Sequence, residues 1–533
     1  MNKIAVYLNE HLLGEVSSSK AMRRRFSRDG SVLTITPEII VFPRTTNDIR
    51  KVARFAWQLA EKGHAMGITV RGTGGDTTGA SIGKGIIIDT SAHLKHVINI
   101  AIKERLVHAQ AGITFDTLNS TIKWQGLKVL NTPNDPCHTT VGGAIANNTL
   151  GSAGSITEAI EKLEVVLANG DLVETGRLSK RDLSKKLGLQ TFEGEIYRKL
   201  SGLIEDNEQL IKELAADPVR DNAGYRGITQ VKEKDGSFDL TPLLVGSQGT
   251  LGILSEVVLR TEFHSQDRTV AAIVAKDGQL ARDIADRIAE LQPAHLEVID
   301  GDLFRRAHEF GATFTILGPT DDLGGVVYVE FNDFSDRIQT NKVKKLRKLM
   351  SKLSVGMVTS LDHELEEFLP IVSVTKTIQR ISISDDLALP ILDGSFVPKD
   401  RQEEFSSALA ELASKHHIDL PTRTNVLTGT IYVYPILKLD VVSDKQKLFR
   451  LLVDYAGLVD KSGGAFVSDD AEGRLKSNAA WSIMAEGEAE LYDQIRAIFD
   501  PFKTLNPDVK QKNEIRTLVS SLRSSYDITD FVA

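Results

Sequence analysis

The residues of this chain best suited to chemistry are small and polar, and they fall in four glycine-bearing stretches. The first, VRGTGGDTTGASIGKGIIID over residues 70–89, places glycine at 72, 74, 75, 79, 83 and 85, hydroxyls at Thr73, Thr77 and Thr78, and a charge at Arg71. Glycine admits positive φ and brings backbone N–H groups close to an anion, so the loop suits phosphate; taken alone, it reads equally well as a surface turn. The second, NTPNDPCHTTVGGAIANNTLGSAG over 131–154, opens with a rigid turn at Pro133, Asp135 and Pro136. It then supplies Thr140, Gly142, Gly143, Asn147, Asn148 and Gly151, groups that fit a flavin edge or a diphosphate. The third is DNAGYRG, residues 221–227. In the fourth, LLVGSQGTLGILSEVVL over 243–259, Gly246, Gly249 and Gly252 punctuate what reads as an apolar strand, marking close backbone approach or a bulge.

The elements around these stretches read as mixed α and β. Residues 39–42 form a strand candidate stopped by Pro43, and Asn47 or Asp48 caps a helix running to Lys62. Residues 68–70 are a strand that runs straight into the first loop, and loops leaving strand ends are where α/β folds bind ligands. Strands are expected at 86–89 and 106–110, a helix at 115–125 closed by Gly126, and a type I′ hairpin at Asn169-Gly170. Residues 185–216 read as charged helix, and from 269 strand and helix alternate.

Composition narrows the function classes. At 533 residues and 41% apolar content the chain supports a large core and two or three domains. A net charge of −8 without basic and aromatic interleaving argues against nucleic acid. A lone cysteine, Cys137, excludes an internal disulfide or an iron–sulfur cluster held by these residues, and fits a cytoplasmic setting. Glu10 and Glu15 argue against a secretory signal, and Arg23, Arg24 and Arg25 lack the apolar run of a twin-arginine signal, so they read as a solvated patch. No apolar run reaches the length of a transmembrane segment, which leaves peripheral membrane attachment open. His93 with His96, and His416 with His417, lack the carboxylates of a metal site. Tyr432 and Tyr434 read as one strand face, and the lysines of 342–352 as a solvated helix face in preference to a site for anionic lipid.

In order and in motif, the four stretches resemble the PCMH-type FAD-binding domain of the vanillyl-alcohol oxidase superfamily, in the branch of D-lactate dehydrogenase and the glycolate oxidase FAD subunit. RGTGGDTTGA (71–80) is similar to the family's RGxGTxxSGG, TVGGAIANNTLG (140–151) to TIGGxxATNAGG, GSQGTLGI (246–253) to GSEGTLGI, and FDPFKTLNPDVK to the closing DPxxxLNPGK. The resemblance implies an α+β protein with an N-terminal extension (1–32), a two-part FAD domain (33–262), an α+β substrate cap (263–500) and a last segment (501–533) returning to the FAD domain. It implies that Arg71, Gly72, Thr73, Gly74, Gly75, Asp76, Thr77 and Thr78 hold the FAD diphosphate. Pro133, Thr140, Val141, Gly142, Gly143, Asn147, Asn148 and Gly151 would line the ribityl and isoalloxazine regions. Ile160, Gly252 and Ile253 would lie on the adenine side, with Asn506 from the closing motif. FAD would be non-covalent, because no histidine occurs between Arg71 and Gly85.

The cap departs from the family. Its metal-binding GHAGDGNLH is TNVLTGTIY here, with Asn425 and Tyr432 at the histidine positions, so no metal is expected. GGxxxGEHGxGR is GGAFVSDDAEGR, with Asp469 and Asp470 at the positions of a metal-binding Glu and a catalytic His and with Arg474 retained. Asp470, Asp469 and Arg474 are the catalytic candidates. The implied activity is a dehydrogenase oxidising a small hydroxylated substrate such as D-lactate or glycolate, with electrons leaving to a quinone, an iron–sulfur protein or an electron-transfer flavoprotein. The alternatives are another alcohol substrate, redox-neutral flavin chemistry of the alkyl-glycerone-phosphate synthase kind, or a non-catalytic flavin-binding subunit.

Overall fold

A computed structural model describes residues 3–152, 154–217, 219–264, 268–309, 311–320, 322–375 and 387–524. The fold is α+β and divides into two compact units. The first contains Met1–Gly151, Ser155–Glu262 and Val467–Leu522; the second contains Ser152–Gly154, Phe263–Phe466 and Arg523–Ala533. The end of the 501–533 segment, from 525 on, lies outside the described residues.

The first unit is built on two sheets. In the smaller, the order is Glu15–Ser17, Ile39–Phe42, Ile86–Asp89, Ile68–Arg71, with the last three strands parallel. Ile39, Ile68, Ile86 and Ile88 are buried against Ile49, Val52, Ala53 and Ala56 of the helix Thr46–Glu61, whose 3.6-residue apolar spacing makes that face. The helix is capped by Thr45, whose hydroxyl accepts the Asp48 N–H, and not by Asn47 or Asp48. The Asp48 carboxylate instead receives Leu13 N at 2.9 Å, Gly14 N at 3.1 Å and Arg44 N at 3.0 Å, tying the N-terminal segment to the sheet.

The larger sheet runs Val97–Ala101, Leu106–Gln110, Ile253–Phe263, Ile160–Val166, Leu172–Glu174, with Leu127–Val129 also pairing to the central strand. The hairpin at Asn169-Gly170 forms, but only Gly170 takes positive φ (83°). Gly170 N donates to Leu167 O and Leu167 N to Asp171 O, a three-residue loop where a type I′ turn would need positive φ at two residues. The 243–259 stretch is likewise not one strand. Thr241–Leu244 is a helical turn, 245–252 is a loop with Gly246 and Gly249 at positive φ, and the strand begins at Ile253.

The second unit is built on a seven-stranded antiparallel sheet, ordered Met357–Thr359, Thr269–Ala275, Gly325–Phe331, His295–Asp300, Thr422–Asn425, Thr430–Val433, Leu392–Phe396, with a separate two-stranded pair of Leu387–Ala388 and Ile436–Leu437. The helices Gly278–Ala289 and Asp336–Leu353 bury Ala281, Ile284, Ile288, Val343, Leu346 and Met350 against Ala271, Ile273, Val327 and Val329. Within the sheet Glu297 is ion-paired with Arg423. Burial pushes its carboxyl up, but Arg423 and His295 outweigh that and hold it down at about 2. No helix among the described residues is long and apolar enough to cross a membrane.

Candidate functional site

The first glycine loop leaves the strand Ile68–Arg71 and is shaped from within by Asp76. Its carboxylate accepts Thr78 N at 3.2 Å, Thr78 Oγ1 at 2.9 Å and Ala80 N at 2.7 Å, a turn that commits Asp76 to the protein. Among the described residues, the backbone N–H groups of 72–76 donate to no acceptor in the chain. Five consecutive donors without an acceptor in the chain, on one partly exposed loop, are available to a diphosphate. Arg71 is turned inward, with its guanidinium beneath the loop and not exposed at its entrance. It is 6% exposed, its Nη1 donates to Arg28 O at 2.6 Å, and its guanidinium lies over the Phe26 ring. The space a side chain would take at Gly74 (φ 84°) is filled by that guanidinium, and at Gly72 by Thr140. These two glycines therefore serve packing between loops as well as exposure of the backbone.

The N-terminal segment, which the sequence leaves as an extension, is part of this construction. Gly30 N donates to Gly74 O at 2.9 Å, and a Cβ on Gly30 would lie 2.6 Å from Gly75 O. Asp29 is fully buried and accepts the Ser81 hydroxyl at 3.1 Å, while Leu33 fills the space beside Gly79.

The second stretch is in part a helix, Val141–Asn147, not a continuous loop. Thr140 caps it by accepting Gly143 N at 3.1 Å, and Asn148 ends it in the left-handed region at φ 57°. Gly142 has Ala111 in the place of a Cβ, and Val141 is fully buried. Thr73 donates to His138 O at 2.5 Å, which joins the first loop to the second, and Pro133 bridges to Gly151.

Four separated segments then meet around Gln248. Its Nε2 donates to Asn147 Oδ1 at 3.0 Å and Thr78 Oγ1 at 3.2 Å, and its Oε1 accepts Gly473 N at 2.8 Å. Asn147 Nδ2 in turn donates to Asp76 Oδ1 at 3.0 Å. Asn506 is a second rivet: its amide donates to Ala80 O and Gln248 O, each at 2.8 Å, and accepts from Thr69 and Arg474. At 1% exposure with every amide group used, Asn506 joins the loops and offers no side chain to a ligand. Ile160 and Ile253 are not brought together. On the antiparallel ladder Ile160 faces Leu259 while Ile253 faces Val166, and Gly252 is kept free of a side chain by Val165.

Asp469 and Asp470 are half-buried and both reach the second stretch. Leu150 N donates to Asp469 Oδ1 at 2.6 Å and Thr149 Oγ1 to Asp470 Oδ1 at 2.7 Å. The backbone beneath them is held by the third stretch and the residue before it: Asn222 Nδ2 donates to Ser468 O at 3.0 Å and Asp469 O at 2.5 Å, and Arg220 Nε to Ser468 O at 2.9 Å. Two residues on, Glu472 is fully buried against Lys510 (2.7 Å) and also accepts Gly224 N and Trp481 Nε1. Arg474 is not placed to act on a substrate. It is 2% exposed and donates to Gly79 O, Asn506 Oδ1 and Pro507 O, and burial lowers it to about 10. In the second unit, Asn425 uses its Oδ1 to accept Leu427 N and Thr428 N. Among the described residues no group of three or more His, Cys, Asp or Glu could hold a metal ion.

Sequence reasoning found the loops but gave Gln248, Asn222, Glu472 and Gly30 no role. The available signals were Gln248 in place of the family's Glu, and DNAGYRG, a polar stretch with no assignment.

Residues 37–176 match the FAD binding domain family and 264–509 the C-terminal domain of FAD linked oxidases. D-2-hydroxyglutarate dehydrogenase of Haemophilus influenzae is 26% identical over 97% of this chain and 53% of its own length. The chain thus spans about half the length of that relative. Glycolate oxidase subunit GlcD of Bacillus subtilis is 23% identical over 88% of each chain. The solved structure of p-cresol methylhydroxylase with substrate bound superposes with a TM-score of 0.68 at 12% identity, covering 96% of both chains, a likeness of fold. With FAD as its cofactor, the chain belongs to the FAD-binding oxidoreductases of the vanillyl-alcohol oxidase superfamily, in the branch of D-lactate dehydrogenase and the glycolate oxidase FAD subunit.

Proposed function

We propose that this chain is a dehydrogenase that oxidises a 2-hydroxy acid at its C2 hydroxyl, using non-covalent FAD. The observation that carries the reading is the run of N–H donors at 72–76 with no acceptor in the chain, on a loop held by Asp76, Asn147 and Gln248. That donor set matches a diphosphate and points to the cofactor. The substrate class is supported by the names of the relatives, which include D-2-hydroxyglutarate dehydrogenase, D-lactate dehydrogenase and a glycolate oxidase subunit. When bound, FAD supplies the two-electron acceptor for the substrate's hydride.

The chain's own residues bind and orient. Donors 72–76 hold the diphosphate, and the stretches 140–143 and 148–151 line the ribityl and ring edge. Asp470 takes the hydroxyl proton, with the Thr149 hydroxyl fixing its carboxylate; Asp469 acts by holding Leu150 N and with it the loop. Electrons leave to an acceptor outside these 533 residues, which hold a single cysteine: a quinone, an iron–sulfur protein or an electron-transfer flavoprotein.

A dye-linked assay on the FAD-loaded protein with D- and L-forms of 2-hydroxyglutarate and lactate, and with glycolate, tests the reading. Turnover of at least one D-acid or glycolate is expected. Turnover of none, or full-rate oxygen consumption without added dye, would contradict it.

A further inference from the structure

The helix Asp336–Leu353 carries seven Lys or Arg against one Asp, a net charge of +6 in a chain whose total is −8. Its buried face, apolar except for Gln339, packs on the sheet, so its outer face decides what those charges do. Phe334, Ile338, Asn341, Lys345, Lys348 and Lys352 follow one another at spacings of three and four, and all six are exposed. They therefore form a single stripe along the helix and the residues leading into it. The stripe is apolar at one end and basic at the other. At the apolar end Phe334 is 75% exposed and Ile338 51%, and the Phe334 ring lies 6.0 Å from that of Phe263, itself 61% exposed. Lys342 and Arg347 are paired with Asp333 and Asp362. Among the described residues Arg337, Lys344, Lys345, Lys348 and Lys352 form no ion pair.

We propose that this face docks the protein on an anionic lipid surface, with Phe263, Phe334 and Ile338 entering the headgroup boundary and Lys345, Lys348 and Lys352 lying over lipid phosphates. Two independent features select lipid over an acidic protein. The cations at the basic end of the stripe are all lysine, point charges on flexible stems that suit a diffuse anionic plane, whereas specific carboxylate recognition favours the guanidinium fork. The apolar residues stand out as a cluster of bulky side chains beside the charges, the arrangement of a helix lying at a membrane interface. This replaces the solvated-helix reading of the lysines, because the sequence alone does not show that Phe263, 71 residues earlier, joins Phe334 at the end of the same stripe.

The test is co-sedimentation of the full FAD-loaded chain with vesicles of phosphatidylcholine, with or without about one-quarter phosphatidylglycerol. Binding is expected only with phosphatidylglycerol and should be lost near about 0.5 M salt. The triple variant Lys345→Glu, Lys348→Glu, Lys352→Glu should bind at least about tenfold more weakly. The milder Lys→Gln triple and the Phe334→Ser, Ile338→Ser pair should each weaken binding while flavin content and dye-linked rate stay at parental values. Equal binding to pure phosphatidylcholine, no binding at low salt, or parental binding by the Lys→Glu triple would overturn the proposal. So would salt-sensitive capture by soluble polyglutamate with none by anionic vesicles, which would make the face a protein-docking site.

Discussion

Replacing Gln248 by the Glu that the family's GSEGTLGI carries should damage this protein, and the reason lies in its neighbours. Gln248 Nε2 donates to Asn147 Oδ1, and Asn147 cannot turn its amide to compensate because its Nδ2 is spent on Asp76. The Glu would place an acceptor-only carboxylate, at a site 4% exposed, against Asn147 Oδ1, Thr78 Oγ1 and Ala471 O, while its other oxygen keeps the bond from Gly473 N. Loss of the bond to Asn147 alone leaves a buried acceptor unpaired, at about 1–3 kcal/mol, and the uncompensated charge brings the total to about 3–5 kcal/mol. The family's TIGGxxATNAGG has Thr where this chain has Asn147, and a Thr hydroxyl can donate to a carboxylate. Here Gln248 is the donor and Asn147 the acceptor, whereas in a Thr–Glu pair the Thr hydroxyl would be the donor. Gln248→Glu should lower unfolding stability and FAD retention, Asn147→Thr should do so more mildly, and the double variant should recover much of the loss. Urea unfolding and bound-flavin absorbance read both quantities. Parental stability in Gln248→Glu, or a double variant no better than the sum of the singles, would refute the reasoning.

Asp470→Asn keeps an oxygen to accept the Thr149 hydroxyl but cannot take a proton, so flavin reduction by substrate should fall by about 100-fold or more with flavin content unchanged. Parental reduction in Asp470→Asn would make Asp470 a positioning residue. Acid precipitation should release all flavin to the supernatant; colour in the pellet would mean a covalent link, with His138, which meets Thr73, the first residue to examine. Burial raises Asp221 from its ordinary 3.8 to about 6, against the pull of Arg226. The folded chain therefore takes this proton before the unfolded one does, and stability grows as pH falls through about 6 toward 4, by at most about 3 kcal/mol. Asp221→Asn should flatten urea-unfolding stability across that window, and an unchanged slope would contradict the assignment.

How much of this could be read in the sequence depends on the range of the interaction. The apolar spacing of the helix Thr46–Glu61 and the strands flanking the first loop follow local rules, and they were legible. The helix Val141–Asn147 was not, because its Gly-Gly pair weakens the local signal and its formation rests on the Thr140 cap and bonds from Val141 N to Ile113 O and Gly142 N to Ala111 O. Arg71, Arg474 and Asn506 were legible as members of the site and not in their roles. A cation or amide in a motif reads as a ligand contact until its partners are known, and here those partners are Arg28 O, Gly79 O and Ala80 O. Gly30, Asn222 and Glu472 act across separations of about 40 to 250 residues, which no periodicity encodes.

The central claim is that FAD held on these loops accepts hydride from a 2-hydroxy acid. Its most direct test is anaerobic mixing of the FAD-loaded protein with D-2-hydroxyglutarate, D-lactate and glycolate, each with protium or deuterium at C2, followed at the flavin absorbance band. The account predicts stoichiometric bleaching by at least one of them, slowed by deuterium and abolished in Asp470→Asn. A flavin that stays oxidised with every acid would contradict it.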